Sequence, residues 1–305
     1  MAIDFGEERI SVPMERHWET STDGVSLHLR AAGPSDGPLV VLLHGFPEFW
    51  YGWRHQIPAL AHAGYRVLIP DQRGYNRSDA PDDISAYDLD RLTADVRQLI
   101  DAAGRDRAHV IGHDWGAMVA WRLAITSPER IHRLGILNVP HPYVFSQTLR
   151  ADPCQLLRST YALFFQIPHL PEWVLGRKDG QGLALLLRWS SRSDTFTTND
   201  MQAYRRAWRR PGRLTGMLHW YRAAARRALR TRVKDRQVPV PTLVLWGARD
   251  IALSRRMAAP SAARCLDGRL MVLDDATHWI QHDAPERVNQ ALLDHLGRTG
   301  TRPAS

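Results

Sequence analysis

A carboxylate lies at the centre of the most informative motif in the 305-residue chain. Asp114 is the middle residue of a Gly-His-Asp-Trp-Gly motif at residues 112–116, which follows the β-branched residues Val110 and Ile111 and precedes an alanine-rich periodic stretch. This pattern predicts a strand, a sharp turn and a helix. Because the two glycines lack Cβ atoms where strand and helix must pass closely, we expect the turn to present the Asp114 side chain.

A carboxylate at this turn can act directly as a nucleophile. Its reference pKa of about 3.9 makes it an anion at neutral pH, whereas a serine would first need a base. A desolvated carboxylate can displace a leaving group at a saturated carbon and form an alkyl ester. The motif alone is equally compatible with an ordinary loop in which Asp114 caps a helix, so the rest of the chain must decide.

Two later loops supply partners for Asp114. Asp250 follows a predicted strand that ends at Trp246-Gly247, and His278 follows the next strand, which ends near Asp274. The order of nucleophile, acid and histidine is that of a hydrolytic triad in which the histidine is the base. Asp250 could instead cap a short helix and His278 could be structural, but their places after the last two strands favour catalysis.

The elements that must position these loops alternate along the chain. A hairpin around Asp23-Gly24 comes first. Strands at residues 38–43, 65–70 and 133–139 then alternate with helices at 51–63 and 88–103, with the Asp114 turn between them. This alternation predicts a mostly parallel sheet with helices on both faces, and active sites on such sheets lie at the carboxyl ends of the strands.

The pattern changes after residue 140. Predicted helices at 149–165, 183–189, 201–208 and 214–231 fill the segment until strands return at 241–247 and 270–273 and a last helix at 284–296. We therefore predict an α/β core formed by residues 1–140 and 238–305, with an all-helical lid inserted at 141–237. The tail from Gly297 is predicted to be disordered.

Composition narrows the function further. The net charge is +8, and residues 141–237 hold 18 Lys and Arg against 6 Asp and Glu. We interpret this excess as a solvated helix face, because no nucleic-acid-binding motif accompanies it. The chain has no long apolar run and no signal-like N-terminus, and Cys154 and Cys265 lack metal-ligand spacing. These features predict a cytoplasmic protein without a nucleic-acid, membrane or metal partner.

Five motifs in order resemble those of the epoxide hydrolase branch of the α/β-hydrolase family. They begin at residues 44, 71, 112, 246 and 277 and read HGFPE, DQRGY, GHDWG, WGARD and THW. The resemblance implies an α/β-hydrolase fold, Asp114 as the nucleophile, and Asp250 with His278 as the pair that activates water. It also implies that the backbone N–H groups of Phe46 and Trp115 form an oxyanion hole, and that the peptide bond before Pro47 is cis.

The lid indicates which reaction this nucleophile serves. Opening an epoxide leaves an alkoxide, which a phenol can stabilise because it stays protonated at neutral pH. Tyr161 and Tyr221 match the two lid tyrosines of the epoxide hydrolases, although tyrosines in helices often only pack. Phe164, Phe165 and Trp220 suggest an apolar substrate pocket. The resemblance also suggests that Glu48 and His113 position the water, and a structural role in the turn is equally compatible with the sequence.

The predicted reaction converts an apolar epoxide and water to a vicinal diol, with no cofactor, since ring strain and hydrogen bonds activate the leaving oxygen. A haloalkane or haloacid dehalogenase is the main alternative, because it uses the same Asp nucleophile but binds the halide with other donors. A non-catalytic binding protein on the same fold would lack one of Asp114, Asp250 or His278, and all three are present. A homodimer through the lid is left open.

Overall fold

One mixed sheet carries the fold. The computed structural model describes residues 10–21 and 23–297, and within them eight strands pair in the order β1-β2-β4-β3-β5-β6-β7-β8. β2 pairs antiparallel with β1 and β4, and the remaining neighbours are parallel. The strands are β1 Glu15–Thr20, β2 Ser26–Ala32, β3 Leu39–Leu43, β4 Arg66–Pro70, β5 Ala108–His113, β6 Ile131–Leu137, β7 Thr242–Gly247 and β8 Gly268–Leu273. Every predicted strand is confirmed.

Helices cover both faces of this sheet. They are α1 Gln56–His62, α2 Leu89–Ala102, α3 Trp115–Thr126, α10 Ala258–Ala262, α11 Ile280–Asp283 and α12 Pro285–Leu296. The predicted helix at 51–63 was wrong as a single element, because a 3-10 helix at Trp50–Trp53 precedes α1. Pro58 has no N–H and is tolerated only in the first turn of an α-helix, so α1 begins two residues before it.

The segment between β6 and β7 contains helices and no strand over residues 142–230, all of which the structure describes. Its helices are α4 Pro142–Ala151, α5 Pro153–Arg158, α6 Tyr161–Phe164, α7 Leu170–Ser190, α8 Thr198–Trp208 and α9 Arg213–Arg230. The helix predicted at 149–165 is three helices, because the Asp152 side chain caps a new start at Pro153. α7 is longer than predicted and has a kink with non-helical backbone at Arg177–Gly180.

The division into core and lid domains stays a prediction, and its terminal residues 1–9 and 298–305, including the predicted disordered tail, lie outside the described residues. No helix in the part of the chain that the structure describes is both long and apolar enough to cross a membrane.

Burial explains why the strand ends are well positioned. Strands β3, β5 and β7 are buried along their whole length. Seven residues of α3 are buried, and this helix packs against β3, β5 and β6. Such strands are fixed on both faces by apolar side chains. Their carboxyl ends at Leu43, His113 and Gly247 therefore hold the loops that follow in fixed relative positions.

Candidate active site

The turn between β5 and α3 holds Asp114 in an unusual backbone conformation, with φ +49° and ψ −123°. Close approaches on both sides impose this geometry. A Cβ atom added to Gly116 would lie 2.1 Å from the Leu43 carbonyl oxygen, and one added to Gly112 would lie 2.5 Å from the carbonyl oxygen of Gly116. The glycines at positions 112 and 116 are therefore required by packing, as the sequence predicts.

The Asp114 carboxylate is held from the first loop. The backbone N–H of Phe46 donates to Asp114 Oδ1 over 2.7 Å, and the Phe46-Pro47 peptide bond is cis. Burial raises the pKa of Asp114, but His278, His113 and the Phe46 N–H together lower it below its ordinary value. The side chain is 18% exposed. The candidate nucleophile is thus an anion whose side chain is partly exposed.

His278 lies between two carboxylates. Its Nδ1 is 2.7 Å from Asp250 Oδ2, and its Nε2 is 3.6 Å from Asp114 Oδ2. Burial lowers the pKa of His278, but the two carboxylates outweigh it and raise the pKa to about 10. The imidazole is therefore protonated at neutral pH while Asp114 carries its charge. The structure brings together all three residues that the sequence assigned to the triad.

Asp250 is oriented by several donors besides His278. Its Oδ1 accepts the backbone N–H groups of Ala252 and Leu253, each over 2.8 Å. The Asn138 side chain donates to Oδ2 over 2.8 Å and accepts the Gly247 N–H. These bonds leave Oδ2 pointing at the histidine.

Asn138 is a residue that sequence reasoning missed. It follows β6 directly, has φ +53° and is fully buried. The available signal was its position, because a polar residue at the carboxyl end of a parallel strand lies at the active-site edge.

Glu48 and His113 lie in a buried polar cluster behind the histidine. His113 Nε2 donates to the His278 backbone carbonyl over 2.9 Å, and Gln281 donates to both His113 Nδ1 and Glu48 Oε2, each over 3.1 Å. His282 Nε2 lies 2.8 Å from Glu48 Oε1, which also accepts the Tyr204 hydroxyl. These contacts agree with a structural role for Glu48 and His113, which was one of the two roles compatible with the sequence. The other role, positioning of the water by these two residues, stays a prediction.

Burial alone would raise the pKa of Glu48, but His282 and His113 outweigh it and hold this pKa well below its ordinary value. The cluster is therefore a fixed anion packed against the loop that carries His278. Among the described residues, no group of three or more His, Cys, Asp or Glu side chains could hold a metal ion.

The two predicted lid tyrosines lie together near the nucleophile. Their ring centroids are 6.0 Å apart, and the ring of Tyr221 is 4.9 Å from Trp115 and 5.4 Å from Phe46, the two neighbours of the Asp114 carboxylate. Burial and the nearby Asp114 charge raise the pKa of both phenols, although 41% of the surface of Tyr161 is exposed. Both hydroxyls therefore stay protonated at neutral pH and can donate.

The predicted substrate-binding residues differ in position. Phe165 packs between Phe46 and Tyr221, with centroid distances of 5.6 and 4.8 Å, and Phe164 is half-buried beside it. Trp220 is buried, and its indole N–H donates to the Arg73 carbonyl over 2.9 Å. The structure thus brings Phe165 to the tyrosines, whereas Trp220 ties α9 to the core.

A partly buried ion pair fixes the spacing of the two tyrosines. Arg222, next to Tyr221 on α9, makes two bonds of 2.7 and 3.1 Å to Glu172 at the start of α7. The same guanidinium donates to the backbone carbonyls of Phe165 and Ile167, each over 3.0 Å. The turn that carries Tyr161 and Phe165 is therefore bonded directly to the helix that carries Tyr221.

Comparison with known proteins gives a consistent result. The sequence model of a family described as alpha/beta hydrolase fold matches residues 38–285. The AB hydrolase superfamily protein YfhM of Bacillus subtilis is 46% identical over 276 residues, which are 90% of this chain and 96% of that protein. Epoxide hydrolase 4 of Mus musculus is 40% identical over 279 residues, which are 90% of this chain and 77% of that protein.

A crystal structure of the Bacillus megaterium epoxide hydrolase in complex with an inhibitor is similar at a TM-score of 0.85 and 30% identity, and the match covers 92% of this chain and 100% of that one. These matches extend over both the sheet and the helices between β6 and β7.

Proposed function

Because this chain belongs to the α/β-hydrolase family and is an epoxide hydrolase within it, we propose that it opens its substrate through a covalent ester on Asp114. In the first step a carboxylate oxygen of Asp114 attacks a ring carbon from behind, and the ring carbon–oxygen bond breaks. The ring oxygen takes a proton from the phenol of Tyr161 or Tyr221. The product is a hydroxyalkyl ester together with a tyrosinate.

Formation of the ester removes the negative charge of Asp114, and with it one of the two carboxylates that raise the pKa of His278. The imidazolium can then give its proton to the tyrosinate. This transfer restores the phenol and leaves a neutral imidazole, oriented by Asp250, as the base for the second step.

In the second step His278 takes a proton from water as the water oxygen attacks the ester carbonyl carbon of Asp114. The N–H groups of Phe46 and Trp115 stabilise the oxyanion that develops. Collapse of the tetrahedral intermediate breaks the bond between the carbonyl carbon and the alkoxide oxygen, and this oxygen takes the remaining proton of the attacking water. The diol is released, and Asp114 returns as an anion beside a protonated His278. Over the two steps the atoms and charges balance, because one epoxide and one water give one vicinal diol and the enzyme returns to its starting state.

One arrangement carries this proposal: the rings of Tyr161 and Tyr221 lie 6.0 Å apart, and that of Tyr221 lies 4.9 Å from Trp115, which follows Asp114. The phenols are protonated at neutral pH, and the neighbours of Asp114 lower the pKa of its carboxylate. A nucleophile and an acid for an oxygen leaving group are the pair that epoxide opening requires. Dehalogenation of a haloalkane or haloacid, the alternative, needs the same nucleophile but no proton donor, because halide leaves as a stable anion. The aromatic surroundings of the tyrosines support an apolar epoxide as substrate, and a cytoplasmic location and a homodimer stay predictions.

Mass spectrometry of two variants tests the proposal. After incubation with styrene oxide, His278→Gln should carry the mass of the substrate on the peptide that contains Asp114, because its first step proceeds and its second stalls. Asp114→Asn should stay unmodified. An adduct from haloacetate, with none from styrene oxide or aliphatic epoxides, would refute epoxide hydrolysis and support the dehalogenase.

A further inference from the structure

The outer side of the lid exposes an unusual amount of apolar surface. We define the outer lid surface by six exposed side chains between α5 and the first arm of α7, of which Leu157, Leu163 and Trp173 are 72, 69 and 59% exposed. The other members are Ile167, Leu170 and Val174. Single exposed apolar residues are normal in soluble proteins, but a contiguous set marks an interaction surface.

The spacing of these residues makes the surface continuous. Leu170, Trp173 and Val174 stand at positions i, i+3 and i+4 of α7, so they share one face of that helix. Beyond the kink, Leu185 and Trp189 form a second exposed strip at i and i+4, 60 and 75% exposed. The two arms meet where Gly182 packs against Val174 and Leu175, so the strips adjoin.

The lid is attached to the core through its other side. The indole N–H groups of Trp208 and Trp220 donate to the backbone carbonyls of Pro47 and Arg73, and the Tyr204 hydroxyl donates to Glu48. The aromatic side chains on α8 and α9 thus hold the lid in place. Those on the outer lid surface are not needed for that attachment.

The outer lid surface has a positive border. Arg150, Arg158, Arg177 and Lys178 are exposed around it. Three acidic residues lie in or next to the same stretch. Glu172 is neutralised by Arg222, Asp179 pairs with Arg209, and Asp152 caps the N-terminus of α5. Apolar side chains bordered by cations are complementary to an anionic bilayer, whose acyl chains and headgroups offer both partners.

We propose that the outer lid surface docks on anionic phospholipid bilayers, with its Leu, Ile and Trp side chains among the upper acyl chains and its cations at the headgroups. A second copy of the chain fits less well, because a two-fold interface would bring these cations against themselves. The sequence predicts no membrane partner since no segment spans a bilayer, and peripheral docking needs no such segment.

Docking through the outer lid surface would bring the active site close to apolar substrates. Tyr161 is exposed and lies in the same stretch as Leu157 and Leu163, so the lid tyrosine whose ring packs against Tyr221 also borders the docking surface. Apolar epoxides concentrate in lipid, and a lid resting on the bilayer would meet them there. The docking itself does not depend on the proposed reaction.

Co-sedimentation of the full chain with vesicles tests this proposal. Wild type should bind vesicles of equal parts phosphatidylglycerol and phosphatidylcholine, bind pure phosphatidylcholine much less, and be released by about 0.5 M NaCl, where charges are screened within a few ångström. Trp173→Gln and the double variant Arg177→Glu/Lys178→Glu should each weaken binding by about tenfold or more. All three positions are exposed, so the variants should fold.

Matched controls lie at other surfaces. Trp18 is 54% exposed on β1, and Arg105 and Arg107 precede β5 at the opposite edge of the sheet from the site. Trp18→Gln and Arg105→Glu/Arg107→Glu should bind as wild type does. Failure of wild type to bind anionic vesicles, or equal loss in the controls, would overturn the proposal. A dimer detected by sedimentation velocity that Trp173→Gln abolishes, without vesicle binding, would assign the surface to a second copy.

Discussion

Replacing Asp114 by asparagine should change the protonation of His278, and this change tests how the two steps are coupled. Asparagine is close in shape to the carboxylate and, like the ester intermediate, carries no charge. The variant therefore mimics the electrostatics of the enzyme after its first step. We expect the pKa of His278, about 10 in the resting enzyme, to fall towards neutral pH.

The expected size follows from the distance between the charges. His278 Nε2 and Asp114 Oδ2 are 3.6 Å apart, and at an effective dielectric constant of about 20 their attraction is about 4.6 kcal/mol. One pKa unit corresponds to about 1.4 kcal/mol, so the loss of this charge should lower the pKa of His278 by about three units. A base with such a pKa is well suited to deprotonating water near pH 7.

Histidine Cε1–H resonances, followed by NMR over a pH titration of wild type and Asp114→Asn, measure this shift. The pKa of His295, which burial lowers to about 4, serves as an internal control and should not move. A His278 pKa that stays near 10 in the variant would refute the reasoning, since the carboxylate of Asp114 would then not hold the proton on the imidazole.

Three further predictions concern stability and orientation. The folded state raises the pKa of His278 from 6.5 to about 10. The charged imidazole therefore stabilises the fold fully below pH 6.5, and this contribution is lost as the pH rises through 10. Denaturant titrations should show the free energy of unfolding decreasing over this range, and decreasing less in Asp114→Asn. Asn138→Ala leaves the buried Asp250 carboxylate short of a donor, which should cost about 1–3 kcal/mol of stability and slow ester hydrolysis in rapid-quench experiments by about tenfold or more. Gly116→Ala should give unfolded or insoluble protein, because its Cβ would lie 2.1 Å from the Leu43 carbonyl oxygen.

Each of these has a result that would contradict it. A wild-type stability that is constant between pH 6.5 and 10 would mean that His278 is not charged in the folded state. Unchanged hydrolysis in Asn138→Ala would show that the backbone donors alone orient Asp250. Gly176→Ala is the control for Gly116, since its Cβ would meet only a flexible Leu214 methyl group at 3.1 Å; similar damage in both variants would remove the packing explanation.

The sequence predicts well that the three candidate triad residues lie together, because short-range patterns determine where each of them lies. Asp114, Asp250 and His278 each follow a strand of the parallel part of the sheet, and parallel strands end at one edge of a sheet. Knowing that the strands were parallel was therefore enough to expect the three side chains to meet. The two glycines that flank the Asp114 turn also predict that turn directly from the local sequence.

Other features depend on contacts between distant parts of the chain, which local patterns do not reveal. The cluster around Glu48 forms only when α8 and α11 bring Tyr204 and His282 to the first loop. Asn138 had a positional signal, but its role depends on the placement of Asp250. The break between α4 and α5 was visible as Asp152-Pro153, yet the apolar periodicity on both sides favoured a single helix.

The bond between His113 and the His278 carbonyl joins residues 165 positions apart. The proposed nucleophile, Asp114, belongs to the first half of the chain, whereas His278, the proposed base for water, lies between the last strand and the last helices. A polypeptide that ends before β8 contains Asp114 without His278, so any ester that it formed with a reactive epoxide would persist. Under the proposed mechanism, alkylated Asp114 in a cell extract would mark incomplete or C-terminally damaged molecules, because intact enzyme would hydrolyse the same ester.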